Sequence, residues 1–456
     1  MFGGRGKIVV NDLEFVQNII DEILDQYMFA DSSKRPWIIG FSGGKDSTVM
    51  LQLVWKALEK AKHFHGFVGR DVYVVSNDTM IENPIIVEYV NGVLDKIEQA
   101  AVEQDMPIRV VRTIPRLEDS LWVNMIGKGY PAPNNAFRWC TERLKIKPTV
   151  RFITEQVDTF GEAIILIGTR YAESATRART MKSHSIKGKR LTKHPIQPNA
   201  WMYAPIRHLL LEQVWYIINK MPSPWGADNK QLFQIYADAS ADDYECPVVV
   251  TDTTHKSCGQ SRFGCWLCTV VKEDKSMAAL INNGFEWLKP LLTYRDWIVA
   301  ERNNINNRMT TRRNGTKAVN DMGSYTPVYR ALMLEKLMET QKEIQQKHPK
   351  AQLITNQELI AIQTIWYRDF IFDYKVSDIY HKIYKTDFDM KENNEKLKKE
   401  VDLLKEVCKD SPNNYDLIQE LLTLQKSKSL LNRKRGLKTD IETRIENYIN
   451  KENNAD

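Results

Sequence analysis

Three groups of residues in this chain have the types and spacing to do chemistry. The first is the run Ser42-Gly43-Gly44-Lys45-Asp46-Ser47. Gly43 and Gly44 lack Cβ atoms, so the backbone can turn sharply there and present N–H groups to phosphate oxygens. Ser42 and Ser47 add hydroxyls, Lys45 a point charge, and a helix starting at Asp46 would add its positive N-terminal end. A Walker A loop is excluded: it needs glycine five residues before Gly44, where Ile39 stands, and Ser or Thr after Lys45, where Asp46 stands. The second group is Cys258-x6-Cys265-x2-Cys268 with the distant Cys140. Four thiolates suit zinc or a [4Fe–4S] cluster equally, and the spacing alone leaves both open. Cys246, followed by Pro247, is a fifth candidate, as a ligand or as a free thiol. The third group joins Arg170 and Arg177, which can meet phosphate bidentately, with Lys145 and Lys147, which offer point charges. Asp46 and Asp78 are candidates to hold Mg²⁺ beside substrate phosphates. Asp78 could equally be a helix N-cap.

The elements that must position these residues alternate. Apolar residues at helical spacing predict a helix over 11–29. Strands are expected at Trp37–Phe41, Val72–Ser76, Ile108–Arg112 and Ala163–Gly168, and helices from Asp46 to about Lys62, over Pro84–Ala101 and around 141–157. This order predicts an α/β fold, a doubly wound parallel sheet with helices on both faces. Domains are expected at 1–225 (the phosphate-loop domain), 226–330 (a cysteine-rich region beyond a Pro-rich junction) and 331–456 (a helical, Lys/Glu-rich extension).

The chain has 456 residues, 43% hydrophobic and 27% charged, which is ordinary for a globular protein with a real core. The formal charge is only +6, so a polyanion partner must be argued from local clusters. The N-terminal stretch lacks the apolar run of a secretory signal and nothing approaches a bilayer span, so a cytoplasmic location without membrane contact is expected. In that compartment cysteines are more often reactive or metal-binding than disulfide-bonded.

The Ser42–Ser47 run resembles the PP-loop of ATP pyrophosphatases, which cleave ATP between the α- and β-phosphates and hold the departing pyrophosphate. Further segments resemble the phosphoadenylylsulfate reductase branch of that superfamily, in its order. Asp78-Thr79 matches an Asp-Thr-Gly, with Met80 replacing the glycine. Arg138-Trp139-Cys140-Thr141 with Lys145, Lys147 and Pro148 matches a Cys-Cys…Lys…Pro segment, with Trp139 replacing the first cysteine. Gly168-Thr169-Arg170, Glu173-Ser174 and Arg177 match a Gly-x-Arg-x-x-Glu-Ser…Arg run, and Pro205-Ile206 with Val214-Trp215 closes the domain. The resemblance covers about residues 35–220 and implies an adenine nucleotide alpha hydrolase-like fold. It also implies ATP as cosubstrate, catalytic roles for Lys45, Asp46, Asp78 and Arg170, and nucleotide contacts from Ser42, Gly43, Gly44, Ser47, Gly168 and Arg177. Relatives hold an iron–sulfur cluster on a double cysteine and a later Cys-x2-Cys, which favours [4Fe–4S] on Cys140, Cys258, Cys265 and Cys268.

The segment Gly259–Val271 looks like the cysteine region of the DndC sulfurtransferases of bacterial DNA phosphorothioation, close relatives of SspD, which also share the helical extension. That resemblance implies DNA as acceptor, a cysteine desulfurase as sulfur donor, and further phosphorothioation proteins as partners. A sulfonucleotide reductase and a tRNA thiolase are the rival enzymes; a nucleotide-binding scaffold is the non-enzymatic rival. The basic stretch Arg177–Lys193, with Arg179, Lys182, Lys187, Lys189 and Arg190, reads as a polyanion-binding loop, and Arg308, Arg312, Arg313 and Lys317 form a second group. A solvated loop is the plain alternative for each. His184, His194 and His255 read as surface or loop residues. Replacing Lys45 or Asp46 by alanine is expected to abolish turnover without unfolding the protein.

Overall fold

Strand β1 (Trp37–Gly40) is buried along its whole length, which is why its sequence is an unbroken apolar run instead of an alternating one. It pairs in parallel with β2 (Val72–Asn77) on one side, and β2 pairs in parallel with β3 (Ile108–Thr113). On the other side β1 pairs in parallel with β4 (Ala163–Leu166). Strand β5 (Leu191–Lys193) runs antiparallel to β6 (Ala200–Tyr203), and β6 lies parallel to β4. The sheet order is β3-β2-β1-β4-β6-β5, so five strands are parallel and the edge strand reverses. The α/β sheet is as expected; β5 and β6, short and set among polar residues, were not legible as strands.

The computed structural model describes residues 14–30, 34–64, 66, 69–186, 188–238, 264–387 and 402–409, with scattered positions from 414 to 421. Cys246, His255 and Cys258 lie outside the described residues. The chain folds as two compact units: Met1–Pro115 with Pro133–Asp296, and Arg116–Ala132 with Trp297–Asp456. The Cys265–Cys268 stretch belongs to the sheet unit, and a segment from the middle of the chain joins the C-terminal helices.

In the sheet unit, α1 (Glu14–Met28) and α2 (Lys45–Phe64) precede and follow β1, and α3 (Pro84–Glu103) follows β2. Asn83 caps α3 by accepting the Ile85 N–H, and Pro84 stands in the first turn, where its missing donor costs nothing. Helix α4 (Lys147–Phe160) packs Ile153 and Val157 against Ile38, Val75, Ile165 and Met202 of the sheet. Burying one such side chain contributes about 1.5–3 kcal/mol. Four more helices follow: α5 (Ala175–His184), α6 (Leu211–Lys220), α7 (Asn229–Asp238) and α8 (Lys275–Asn282); α9 (Lys289–Glu301) runs across the boundary at Asp296.

The second unit contains α10 (Pro327–Gln345), α11 (Asn356–Arg368) and α12 (Val376–Tyr384). Thr326 caps α10, and Thr355 with Glu358 forms a capping box on α11. The inserted segment contains a π-helical turn, Val123–Gly127. The Trp122 indole donates to the Leu353 carbonyl at 2.7 Å, and the Ile126 carbonyl accepts from Trp366 at 2.9 Å and from Arg330 at 2.8 Å. Among the described residues no helix is long and apolar enough to cross a membrane.

Candidate active site

The chain crosses from β3 back to the far side of β1 to form β4, so the connections leaving β1 and β4 diverge. Open α/β sheets bind ligands in the crevice at such a point, beyond the C-terminal strand ends. Both sequence runs singled out for phosphate chemistry emerge there: Ser42–Ser47 directly after β1, and Gly168-Thr169-Arg170 after β4.

Gly43 takes φ +73, a left-handed value that suits glycine, and a Cβ there would stand 2.4 Å from Val90 Cγ2. Ser47 folds its hydroxyl back over the turn: Oγ accepts the Ser42 N–H at 3.3 Å and donates to the Gly44 carbonyl at 3.0 Å. A Cβ on Gly168 would lie 3.1 Å from the Asp46 carbonyl and from the Ser47 nitrogen. Glycine lets the β4 turn come this close to the start of α2; a Cβ there would force the α2 backbone back by a few tenths of an ångström.

That approach brings the charges together. Arg170 Nε donates to Asp46 Oδ1 at 2.6 Å, and Asp46 Oδ2 lies 3.4 Å from Lys45 Nζ. Arg170 Nη1 also donates to the Leu209 carbonyl at 3.3 Å. Lys45 and Arg170 are only 1% and 2% exposed. Two buried cations around one carboxylate leave a net positive site, which suits a polyphosphate better than a neutral ligand. Both Asp46 oxygens face these cations, so in this arrangement Asp46 anchors Lys45 and Arg170 and does not fit as a free Mg²⁺ ligand.

Asp78 lies at the end of β2, the next strand along. Its Oδ1 accepts the Met80 N–H at 2.7 Å, closing a small turn, and burial raises its carboxyl above the ordinary range. The helix cap here is Asn83, so the N-cap reading of Asp78 does not hold. Met80 takes φ 66, and this is the position where the resembling family carries glycine. The left-handed turn is kept although its side chain is not the easy one. Arg177 pairs with Glu173, whose other oxygen accepts the Arg170 N–H at 3.3 Å, and Ser174 caps α5 by accepting the Arg177 N–H at 3.1 Å. The Glu-Ser…Arg run thus shapes the turn after Arg170.

The cysteines meet this same edge. Cys265 forms an antiparallel bridge with Glu82, Trp266 N–H donates to the Ile81 carbonyl at 2.9 Å, and Cys265 Sγ lies 3.7 Å from Thr79 Oγ1. Cys268 N–H closes the turn on the Cys265 carbonyl at 3.0 Å. Burial pushes the Cys265 thiol up, the Lys145 ammonium opposes this, and Glu82, Cys268 and Cys140 add to it. Cys140 opens a π-helical turn, Thr141–Ile146, tied to the sheet where Asn77 Nδ2 donates to the Leu144 carbonyl at 3.0 Å. Arg295, fully buried, donates to the carbonyls of Cys268 at 3.0 Å, Lys272 at 2.9 Å and Val271, and so fixes the cysteine turn. Among the described residues no three His, Cys, Asp or Glu side chains already stand in a metal-holding group.

Other expected residues are placed differently. The basic stretch is half helix: α5 carries Arg179 and Lys182 on an exposed surface, Arg190 pairs with Asp25, and Lys193 ends β5. Arg308 and Arg313 are used internally. The first donates to the Gly323, Arg302 and Met322 carbonyls, the second to Asp369 and to the Lys128 carbonyl. His194 is buried, not a surface residue, and its Nδ1 accepts two backbone N–H groups, from Ile196 and Gln197. Tyr236 carries no motif and was not foreseen: with Leu232 and Ile235 of α7 it walls a recess against Gly43, Gly44, Ile86 and Tyr89.

An uncharacterized protein of Methanocaldococcus jannaschii is 30% identical over 216 residues, 47% of this chain but only 36% of its own length. A phosphoadenylyl-sulfate reductase from Candida auris aligns over 54% of this chain and 98% of its own, at 13% identity and a TM-score of 0.32. The U34-tRNA thiolase NcsA of Methanococcus maripaludis, solved with its [4Fe–4S] cluster, aligns over 50% and 74%, at 14% identity and a TM-score of 0.28. The Candida glabrata FMN adenylyltransferase aligns over 48% and 61%, at 13% and 0.29, so the chain again spans less than two thirds of that protein. Residues 36–270, the stretch from the first strand to the cysteine turn, match the phosphoadenosine phosphosulfate reductase domain, and the chain belongs to that family.

Proposed function

We propose that this protein is an ATP pyrophosphatase and sulfurtransferase that activates a DNA backbone phosphate by adenylylation for sulfur incorporation. The observation that carries the reading is the buried Lys45–Asp46–Arg170 group beside the glycine turn, a cationic cradle at the strand ends. A phosphodiester oxygen attacks the α-phosphorus of ATP, the α–β bridge breaks, and pyrophosphate leaves into the cradle, where Lys45 and the loop amides stabilise its charge. Sulfur then attacks the activated phosphorus and AMP departs. If the sulfur is the terminal atom of a persulfide from a cysteine desulfurase, its remaining S–S bond is reduced by a thiol.

Asp78 would hold Mg²⁺ together with the phosphates. Cys140, Cys258, Cys265 and Cys268 would hold a [4Fe–4S] cluster, which when bound supplies a soft, sulfide-accepting site next to the nucleotide. Arg179 and Lys182 of α5 would draw the nucleic-acid backbone to the β4 edge, contributing affinity without sequence selection.

The test has two arms. ATP turnover should yield AMP and pyrophosphate, and ADP as main product would sink the ATP pyrophosphatase reading. Mass spectrometry of nuclease-digested DNA from cells with and without the gene should find phosphorothioate dinucleotides only in its presence. Thiolated tRNA in their place would move the acceptor to RNA, and thiol-dependent sulfite release would make the protein a sulfonucleotide reductase.

A further inference from the structure

Strands β4 and β6 run side by side in the same direction, so the turns that leave them emerge at one edge of the sheet. The first turn carries Arg170; the second spans 205–208. Two bonds lace them together. The Tyr171 N–H donates to the Arg207 carbonyl at 2.9 Å, and Arg170 Nη1 reaches the Leu209 carbonyl at 3.3 Å while its Nε holds Asp46. One guanidinium therefore spans from the phosphate cradle to the residue after His208.

The second turn carries side chains that the ATP chemistry does not use. Arg207 Nε donates to His208 Nε2 at 3.3 Å, and the His208 ring leans on Tyr171, with centroids 5.3 Å apart and planes tilted by 56°. An imidazole whose Nε2 accepts carries its proton on Nδ1, so His208 keeps a donor. Among the described residues the Arg207 guanidinium pairs with no carboxylate and makes no other side-chain bond. The nearby acids are engaged elsewhere or apart: Glu173 pairs with Arg177, Glu22 accepts the Tyr203 hydroxyl at 3.0 Å, and exposed Glu212 in the first turn of α6 pairs with neither residue. Arg207 is half-buried and His208 exposed. A guanidinium oriented by a neutral ring keeps its charge, and its two Nη groups remain for an anion.

We infer that Arg207 and His208 hold the acceptor phosphodiester beside the ATP site, Arg207 through its Nη groups and His208 through its Nδ1–H. This deepens the reading of a DNA acceptor and rests on it. A phosphodiester is ionised at neutral pH, so its oxygen attacks the α-phosphorus without giving up a proton, and no general base is needed. What opposes the step is the approach of two anions. A fixed cation on the acceptor side offsets that repulsion and positions the oxygen, while Lys45 serves the pyrophosphate that leaves.

The experiment uses the full chain with Arg207→Ala, Arg207→Lys and His208→Ala. Binding of fluorescein-labelled duplex DNA is followed by anisotropy over a sodium chloride series, with a non-hydrolysable ATP analogue present. Arg207→Ala should weaken binding of every sequence alike and reduce the slope of log affinity against log salt by about 1. Arg207→Lys should restore the slope, since a point charge still meets one phosphate. His208→Ala should leave the slope unchanged, the ring being neutral, and raise the DNA concentration for half-maximal pyrophosphate release about two- to tenfold, the loss of one hydrogen bond. Affinity for the ATP analogue, by isothermal titration, should match the parent in all three. A salt slope unchanged by Arg207→Ala overturns the inference. So does a loss confined to the ATP analogue, which would put the guanidinium on the nucleotide. A parent protein that releases pyrophosphate but binds no DNA ends the acceptor reading itself, whereas a DNA-binding parent matched by its Arg207→Ala form ends this inference alone.

Discussion

The Tyr236 hydroxyl accepts the backbone N–H of Lys45 at 3.2 Å, and its ring faces the Lys45 ammonium at 5.4 Å. Both donors are ones that a phosphate would claim, so Tyr236 occupies the cradle as a stand-in. Phosphate must displace it. Tyr236→Phe is expected to bind ATP about two- to tenfold more tightly, the worth of one hydrogen bond. Isothermal titration with a non-hydrolysable ATP analogue checks this; weaker binding would mean that the hydroxyl turns to assist the phosphate.

Asp46 and Arg170 form a buried pair, which changes what a substitution at Asp46 should do. Asp46→Asn would leave a buried guanidinium uncompensated, and about 3–5 kcal/mol of stability should go with it. Turnover falls too, so loss of activity alone is not proof of catalysis. The double variant Asp46→Leu with Arg170→Met should regain much of the stability in urea titrations while remaining inactive. An Asp46→Asn protein as stable as the parent would contradict the pairing.

Cys265 and Cys268 sit in a turn that Arg295 fixes, and Cys140 opens a π-helical turn that Asn77 fixes. If these thiols hold a [4Fe–4S] cluster, anaerobically purified protein should be brown, with iron and acid-labile sulfide in equal amounts. Serine at Cys140, Cys265 or Cys268 should remove both. Stoichiometric zinc in a colourless anaerobic preparation would rule the cluster out.

His194 provides a pH test independent of the active site. Burial lowers its pKa to about 4 from a usual value near 6.5, and it is neutral in the folded protein with Nδ1 accepting two N–H groups. The unfolded chain takes up the proton first as pH falls, so stability should drop between pH 6.5 and 4 and level off below. The contribution is about 3 kcal/mol across that window. His194→Asn, which keeps an acceptor but does not titrate, should flatten the curve in chemical denaturation. A His194→Asn protein that loses as much stability as the parent between pH 7 and 4.5 would refute this.

Much of the sheet unit was legible because its signals are local. The run Trp37–Gly40 is a buried parallel strand with no polar position, and Gly43-Gly44 announces its turn. The two turns converge because the chain reverses order after β3, and the Gly168 contact with Asp46 shows how closely. What was not legible is non-local. Nothing in the sequence around Tyr236 says that its hydroxyl meets Lys45, 191 positions away. Strand β5 has three residues of mixed polarity and exists through its pairing with β6. The π-helical turn at Val123–Gly127 breaks the 3.6-residue period on which helix reading depends, whereas the one at Thr141–Ile146 falls inside the helix expected over 141–157.

The placement of Arg116–Ala132 in the second unit bears on how this protein can be made and cut. The ribosome delivers that segment early, but the carbonyls of Leu353 and the side chains of Arg330 and Trp366 that receive it emerge more than two hundred residues later. Until then the bonds of Trp122 to Leu353, and of Trp366 and Arg330 to the Ile126 carbonyl, cannot form. During synthesis the sheet unit therefore carries a loop whose apolar side chains stay exposed until the C-terminal helices emerge, as in the intermediates of larger proteins. A gene truncated after Asp296 would leave it there permanently, so separate expression of the two units requires excising 116–132 and grafting it onto the C-terminal part.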